Sequence, residues 1–76
     1  MFRNSQIRPG ESARLVQVGG DRSFRRRLME LGFLPGTSVR LVRHVAVGDL
    51  VEFELRGGHI SLRASEAVAL VFESRR

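Results

Sequence analysis

The sequence predicts a mainly β protein: a small, partly open β-barrel of about five strands with one short α-helix. Three observations support this fold class. Apolar and polar residues alternate along several short segments, glycine turns separate these segments, and only one stretch has helical periodicity. Because the chain has 76 residues, closing the sheet on itself is an economical way to hide strand edges that would otherwise pair with other molecules.

The first half of the chain predicts one strand and the helix. Residues 1–6 are mostly polar and are expected to form a loose N-terminal segment, and the first strand is expected over residues 13–18. The helix is predicted over about 22–31, because Asp21 is a favourable N-cap and Gly32 is a favourable left-handed residue after the helix.

The predicted helix has two different faces. At 100° per residue, Phe24, Leu28 and Leu31 form an apolar stripe that is expected to face the core. The opposite face carries Arg22, Arg25, Arg26 and Met29. Arginines in a first helical turn oppose the helix macrodipole. Two interpretations stay open: a solvated face, with weak pairs from Arg26 or Arg27 to Glu30, or a contact surface for an acidic partner.

The chain after the helix predicts strands joined by tight turns. Leu34-Pro35-Gly36-Thr37 is typical of a type II turn, and a strand is expected over 38–45. Residues 50–56 alternate, which places Val51, Phe53 and Leu55 on the inner face of a strand.

The last part of the chain predicts a hairpin and a final strand. Gly57-Gly58 is expected to supply both positive-φ residues of a two-residue turn, so that residues 59–63 pair back with Ile60 and Leu62 inward. A short helical turn near 64–67, capped by Ser65, a strand over 68–72 and a polar tail at 73–76 complete the chain.

Composition and charge limit the function. The net charge is +5, and all thirteen basic residues are arginine, so attraction to acidic partners is expected. The chain has no cysteine, no apolar run near the 18–20 residues of a membrane span and no signal-peptide pattern. A cytoplasmic protein without direct membrane insertion is expected. Weak self-association stays open.

The motifs of catalysis and metal binding are missing from the sequence. There is no phosphate-binding loop, and neither His44 nor His59 belongs to a catalytic motif, so an enzyme and a cofactor are not expected. A metal site combining these histidines with Glu52 or Glu54 is conceivable, but no ligand spacing supports it, and surface histidines are favoured. Nucleic-acid binding has the charge but lacks Tyr and Trp, which makes it the second choice.

Four motifs in a fixed order resemble the FeoA family of small proteins encoded beside the bacterial ferrous iron transporter FeoB. They are P-G-E at 9–11, R-R-L-M-E-L-G-F-L-P-G at 26–36, G-D at 48–49 and R-G-G-H-I-S-L-R-A-S-E-A at 56–67. The resemblance implies an SH3-like domain over 7–72. It also implies a non-enzymatic accessory protein of ferrous iron uptake that interacts with the cytoplasmic part of FeoB.

The resemblance also extends the candidate surface. Phe33 and Leu34 follow the helix within the matching motif, and two interpretations of this apolar pair stay open: at least one residue forms an exposed apolar contact beside the arginine face, or both cap the end of the barrel. With the first interpretation, the expected partner-binding residues are Arg22, Arg25, Arg26, Met29, Phe33 and Leu34. The alternatives are a basic nucleic-acid-binding barrel and a metal-sensing domain like the C-terminal domain of DtxR-type repressors. Whether the protein stimulates nucleotide hydrolysis, gates iron or assists assembly stays open.

Overall fold

A computed structural model of the chain describes residues 2–3 and 7–73. Its elements in chain order are β1 (Phe2–Arg3), β2 (Ser12–Val18), α1 (Arg22–Glu30), β3 (Ser38–Val45), β4 (Leu50–Leu55), β5 (Gly58–Arg63), α2 (Ala64–Ala67) and β6 (Leu70–Phe72). The described strands form one antiparallel sheet in the order β1-β6-β2-β3-β4-β5. The prediction of a small, mainly β domain with one principal helix is confirmed.

The N-terminal segment differs from the sequence prediction at two residues. Phe2 and Arg3 were expected to be loose, but they pair with Phe72 and Val71 of β6. This pairing satisfies backbone groups along an edge of β6 that β2 does not cover. The other residues of the 1–6 segment, and residues 74–76 of the predicted polar tail, lie outside the described part of the chain.

One apolar core fills the inside of the curved sheet. The predicted inward residues Val51, Phe53 and Leu55 are buried, and their strand neighbours Glu52 and Glu54 are partly exposed, as the alternation requires. The largest side chains that are fully buried are Phe33, Phe53, Phe72, Leu15, Leu28, Leu70 and Val39. The helix therefore contributes Leu28 to the same core as the strands.

Both predicted turns form, but the hairpin turn is displaced by one residue. Gly36 has φ 95° and Thr37 N–H donates to the Leu34 carbonyl at 3.0 Å, which agrees with a type II turn. In the hairpin, the residues at positive φ are Arg56 (51°) and Gly57 (80°), and the prediction of Gly57-Gly58 is wrong. An arginine therefore occupies a left-handed position that usually favours glycine or asparagine.

The segment after β5 forms the predicted helical turn with a different cap. Arg63, and not Ser65, is the N-cap, and the Glu66 carboxylate accepts the Arg63 N–H at 3.0 Å. The turn continues through Val68, the C-cap, so the last strand begins at Leu70 instead of residue 68. Neither helix in the described part of the chain is long and apolar enough to cross a membrane.

Candidate protein-binding face of the helix

Helix α1 begins at the residue that the sequence predicts. The Asp21 carboxylate accepts the Phe24 N–H at 2.8 Å and so satisfies one of the free N–H groups of the first turn. The first turn itself holds no acidic residue, and Arg22 and Arg25 occupy it. Asp21 is therefore the carboxylate that offsets the positive end of the helix dipole there.

Helix α1 ends in a Schellman motif that determines which of the following side chains are buried. Gly32, at φ 116°, donates its N–H to the Met29 carbonyl at 3.0 Å, and Phe33 donates to the Leu28 carbonyl at 3.1 Å. A side chain at Gly32 would be strained because of this φ, and its Cβ would lie 3.3 Å from Leu55. The motif turns the chain so that Phe33 points back toward Leu28.

Two sequence predictions on this segment are wrong. Phe33 was expected on the binding surface, but its side chain is completely buried. It packs edge-on against Phe53, with ring centroids 5.7 Å apart. Leu31, expected in the core, is 46% exposed because it is the C-cap after the last helical residue, Glu30, and the chain turns away immediately after it. A Gly-Phe pair directly after a helix signals an apolar contact across a Schellman motif, and this signal identifies Phe33 as a core residue.

The remaining predicted residues come together around one open depression on the outside of the helix. This depression has a volume of about 390 Å³ and is lined by Arg22, Arg25, Arg26, Met29, Glu30 and Leu34. We call these six residues the α1 face. Five of them were expected from the sequence. Glu30 was treated only as an ion-pair partner, although it lies one turn after Arg26 and therefore on the same side of the helix.

The α1 face has an apolar centre with charged residues around it. Met29 is half-buried and packs against the core on its inner side. Leu34 follows the Schellman motif and stays 40% exposed. The exposed guanidinium groups of Arg22, Arg25 and Arg26 surround these apolar atoms. Flexible methionine beside arginine forks is a composition typical of protein-protein contacts.

The carboxylate side chains contact groups other than Arg22 and Arg25, which leaves these two arginines of the α1 face without counter-charges in the described part of the chain. Five of the eight pair with arginines: Glu30 with Arg26, Glu52 with Arg43, Glu54 with Arg40, Glu66 with Arg27 and Glu73 with Arg14. Asp21 caps α1, Asp49 contacts His44, and Glu11 accepts the Arg8 N–H. Within the described residues, Arg22 and Arg25 therefore have no carboxylate partner.

Arg27 lies on another side of the helix and has a structural role. The sequence allowed a pair with Glu30, but its guanidinium instead contacts the Glu66 carboxylate of α2 at 2.9 Å and lies 5.7 Å from the centre of the Phe24 ring. Both contacts are exposed, so each contributes at most about 1 kcal/mol. The contact with Glu66 connects α1 to α2 and helps to fix the orientation of the α1 face.

The two histidines lie beside different carboxylates. His44 contacts Asp49 at 2.9 Å, whereas His59 lies 3.8 Å from both Glu52 and Glu54. Those two glutamates are each held by an arginine of β3. Among the described residues, no group of three or more His, Cys, Asp or Glu side chains is arranged to hold a metal ion.

The fold and the surface define a class: a small, mainly β domain that presents a cationic, partly apolar helix face. The FeoA domain model matches residues 5–73. The chain belongs to the FeoA domain family, as the resemblance of the sequence motifs predicted.

Solved structures and a curated relative agree with this family. The solution structure of FeoA protein from Chlorobium tepidum is 28% identical with a TM-score of 0.83, covering 93% of this chain and 68% of that chain. FeoA of Stenotrophomonas maltophilia, described as a prokaryotic SH3 domain protein complexed with zinc, is 30% identical with a TM-score of 0.79, covering 96% of this chain and 91% of that chain. The predicted SH3-like fold is thereby confirmed.

The curated relative is a much longer protein. It is the Fe(2+) transport protein A/Fe(2+) transporter FeoB fusion protein of Porphyromonas gingivalis (strain ATCC BAA-308 / W83). Identity is 31% over 72 residues, which are 95% of this chain but 8% of the relative. This chain therefore corresponds to a small part of that relative's length.

Proposed function

We propose that this protein is a non-enzymatic, cytoplasmic accessory protein of bacterial ferrous iron uptake that binds the cytoplasmic part of an FeoB transporter through its α1 face. The observation that carries the proposal is the arrangement of Arg22 and Arg25, which lack carboxylate partners in the described structure, beside the exposed apolar atoms of Met29 and Leu34. Such a face fits a partner segment with carboxylates around an apolar side chain.

The fusion relative supports the choice of partner. In that protein, a segment similar to this chain and an Fe(2+) transporter FeoB belong to one polypeptide. Covalent linkage gives two domains a high effective concentration, so even a weak contact between them is populated. A separate accessory chain must reach the same contact by its own affinity, and an exposed cationic face accelerates that encounter.

The bound protein acts by changing the balance between conformations of the transporter. A ligand shifts such an equilibrium only by the difference between its affinities for the two states. The α1 face is attached to the barrel core through Leu28 and Phe33, which are fully buried. It is therefore presented as one rigid surface, and a transporter state that matches this surface is stabilised.

The test measures binding of the purified protein to the soluble cytoplasmic domain of FeoB by titration calorimetry at physiological salt. Screening at about 8 Å removes most long-range nonspecific attraction under these conditions. We expect saturable binding that Arg25→Glu weakens. Arg8→Glu is the matched control, since it makes the same charge change at an exposed arginine outside the α1 face. Equal affinities for the two variants contradict the proposed surface, and the absence of binding contradicts the proposed partner.

Nucleic acid is the second ligand to be measured in parallel. A basic barrel that bound nucleic acid would lose affinity steadily as salt increases, because phosphate contacts release counterions. It would also respond similarly to Arg8→Glu and Arg25→Glu, since both remove one positive charge and add one negative charge. Saturable binding to the transporter domain alone distinguishes the proposed function from this alternative.

A further inference from the structure

The outer edge of β5 is a second candidate interface, separate from the α1 face. Strand β5 lies at one edge of the sheet, next to β4, and no other strand in the described part of the chain pairs with it. Its pairing with β4 runs without a bulge from Leu50↔Arg63 to Leu55↔Gly58. It also contains no proline or lysine, the residues that commonly protect an edge.

The hairpin geometry determines which backbone groups of β5 point outward. Arg56 at φ 51° and Gly57 at φ 80° form a type I′ turn, whose flanking residues Leu55 and Gly58 exchange both hydrogen bonds. Hydrogen-bonded and non-bonded pairs then alternate along the ladder, so His59, Ser61 and Arg63 direct their N–H and C=O groups away from β4.

One contact agrees with this alternation and limits the free edge. The Arg63 N–H donates to the Glu66 carboxylate of α2 at 3.0 Å, so it points away from β4 and already has an acceptor. The N–H and C=O groups of His59 and Ser61 form the remainder of the outward edge. Two residues spaced in this way can form four hydrogen bonds with a matching strand.

A second copy of β5 is a matching strand. When two β5 strands run antiparallel with the twofold axis at Ile60, His59 of each copy lies opposite Ser61 of the other, and the two residues exchange both hydrogen bonds. Ile60, which is half-buried, then meets Ile60 of the second copy in a non-bonded pair, where side chains approach most closely.

The residues at the two ends of this β5–β5 pairing can also lie opposite each other without a clash of charges. Leu62 lies opposite Gly58 and Arg63 lies opposite Gly57 of the second copy. The space around a Cβ at Gly57 is empty to 4 Å, so Gly57 leaves room for the Arg63 side chain of the second copy. No two charged side chains are directly opposed in this register.

We propose that the protein self-associates weakly through the β5 edge, as an antiparallel β5–β5 dimer centred on Ile60. The contact is small, so its dissociation constant lies in the millimolar range typical of weak encounters. Each chain carries a net charge of +5, and the two copies repel each other. Added salt therefore strengthens this dimer, whereas it weakens binding of the α1 face to an acidic partner.

The test is an NMR dilution series of the ¹⁵N-labelled protein at low and at high salt. We expect concentration-dependent shifts that are largest at the amides of His59 and Ser61, and that increase with salt. Shifts that are absent over the millimolar range, or that are centred on α1 or α2, overturn the proposal. This measurement uses the unmodified protein, so its outcome does not depend on a variant that folds.

A variant pair gives a second test of the same edge. Ser61→Pro removes the outward N–H but no hydrogen bond to β4, and proline is tolerated at such edge positions. Because the twofold axis duplicates the change, two of the four intermolecular hydrogen bonds are lost, and dimerisation is expected to weaken roughly tenfold or more. The control Ser61→Ala keeps the N–H and is expected to dimerise like the unmodified protein. Unchanged dimerisation of a folded Ser61→Pro variant overturns the proposal, as does an equal loss in Ser61→Ala.

Discussion

Replacing Phe33 by alanine tests the assignment of this residue to the core. Its side chain is completely buried, and removing a buried aromatic ring costs about 3–5 kcal/mol of the free energy of unfolding. That cost includes the edge-on pair with Phe53, which itself contributes about 0.5–1.5 kcal/mol. A 76-residue domain has a net stability of about 4–11 kcal/mol, at roughly 0.05–0.15 kcal/mol per residue. Phe33→Ala is therefore expected to leave the domain marginally folded.

The adjacent residue is the natural control for this substitution. Leu34 is 40% exposed, and Leu34→Ala is expected to cost less than about 1 kcal/mol, since little buried surface is lost. Urea unfolding followed by far-ultraviolet circular dichroism measures both variants, because the chain has no tryptophan or tyrosine to report by fluorescence. If Phe33→Ala destabilises the domain no more than Leu34→Ala does, the Schellman motif does not bury Phe33 and the reasoning is wrong.

Two further predictions concern residues that the sequence assigned incorrectly. Leu31→Gln is expected to change the free energy of unfolding by less than about 1 kcal/mol, because the side chain is 46% exposed. If urea unfolding shows that this free energy falls by several kcal/mol, Leu31 is a core residue and the assignment is wrong. Arg56→Gly is expected to raise the free energy of unfolding by up to about 1 kcal/mol, because glycine removes the left-handed strain at φ 51°. A lower melting temperature for Arg56→Gly would contradict the positions assigned to the hairpin turn.

The sequence predicts the secondary structure well because its signals are local. The alternation of Val51, Phe53 and Leu55 identifies β4 and its inner face without any knowledge of neighbouring strands. Asp21 and Gly32 identify both ends of α1 to within one residue, since each satisfies a requirement of the helix end itself.

The incorrect assignments occur where the direction of the chain changes. A helical wheel places Leu31 beside Phe24, but it assumes a helix that continues, whereas the helix stops there and Phe33 takes the core position instead. The hairpin was ambiguous for a different reason. Turns at 56–57 and at 57–58 both pair Phe53 with an inward residue, Ile60 or Leu62, so alternation alone does not choose the register.

The candidate surface was predicted in part. Helical spacing was sufficient to group Arg22, Arg25, Arg26 and Met29, because four positions on one side of a helix remain together in any fold. It could not show that Arg22 and Arg25 lack counter-charges. That depends on pairs between residues distant in sequence, such as Arg27 with Glu66 and Arg14 with Glu73.

The most direct test of the central claim, that the α1 face binds the transporter, is a map of the contact surface. The ¹⁵N-labelled protein is titrated with the unlabelled cytoplasmic domain of FeoB, and the chemical-shift changes of its backbone amides are recorded. If the α1 face is the contact surface, the largest chemical-shift changes occur over residues 22–34, and the changes along β5 are small. Changes concentrated on β5, or around a separate groove that is lined by residues including Pro9, His44 and Val68, would contradict the account.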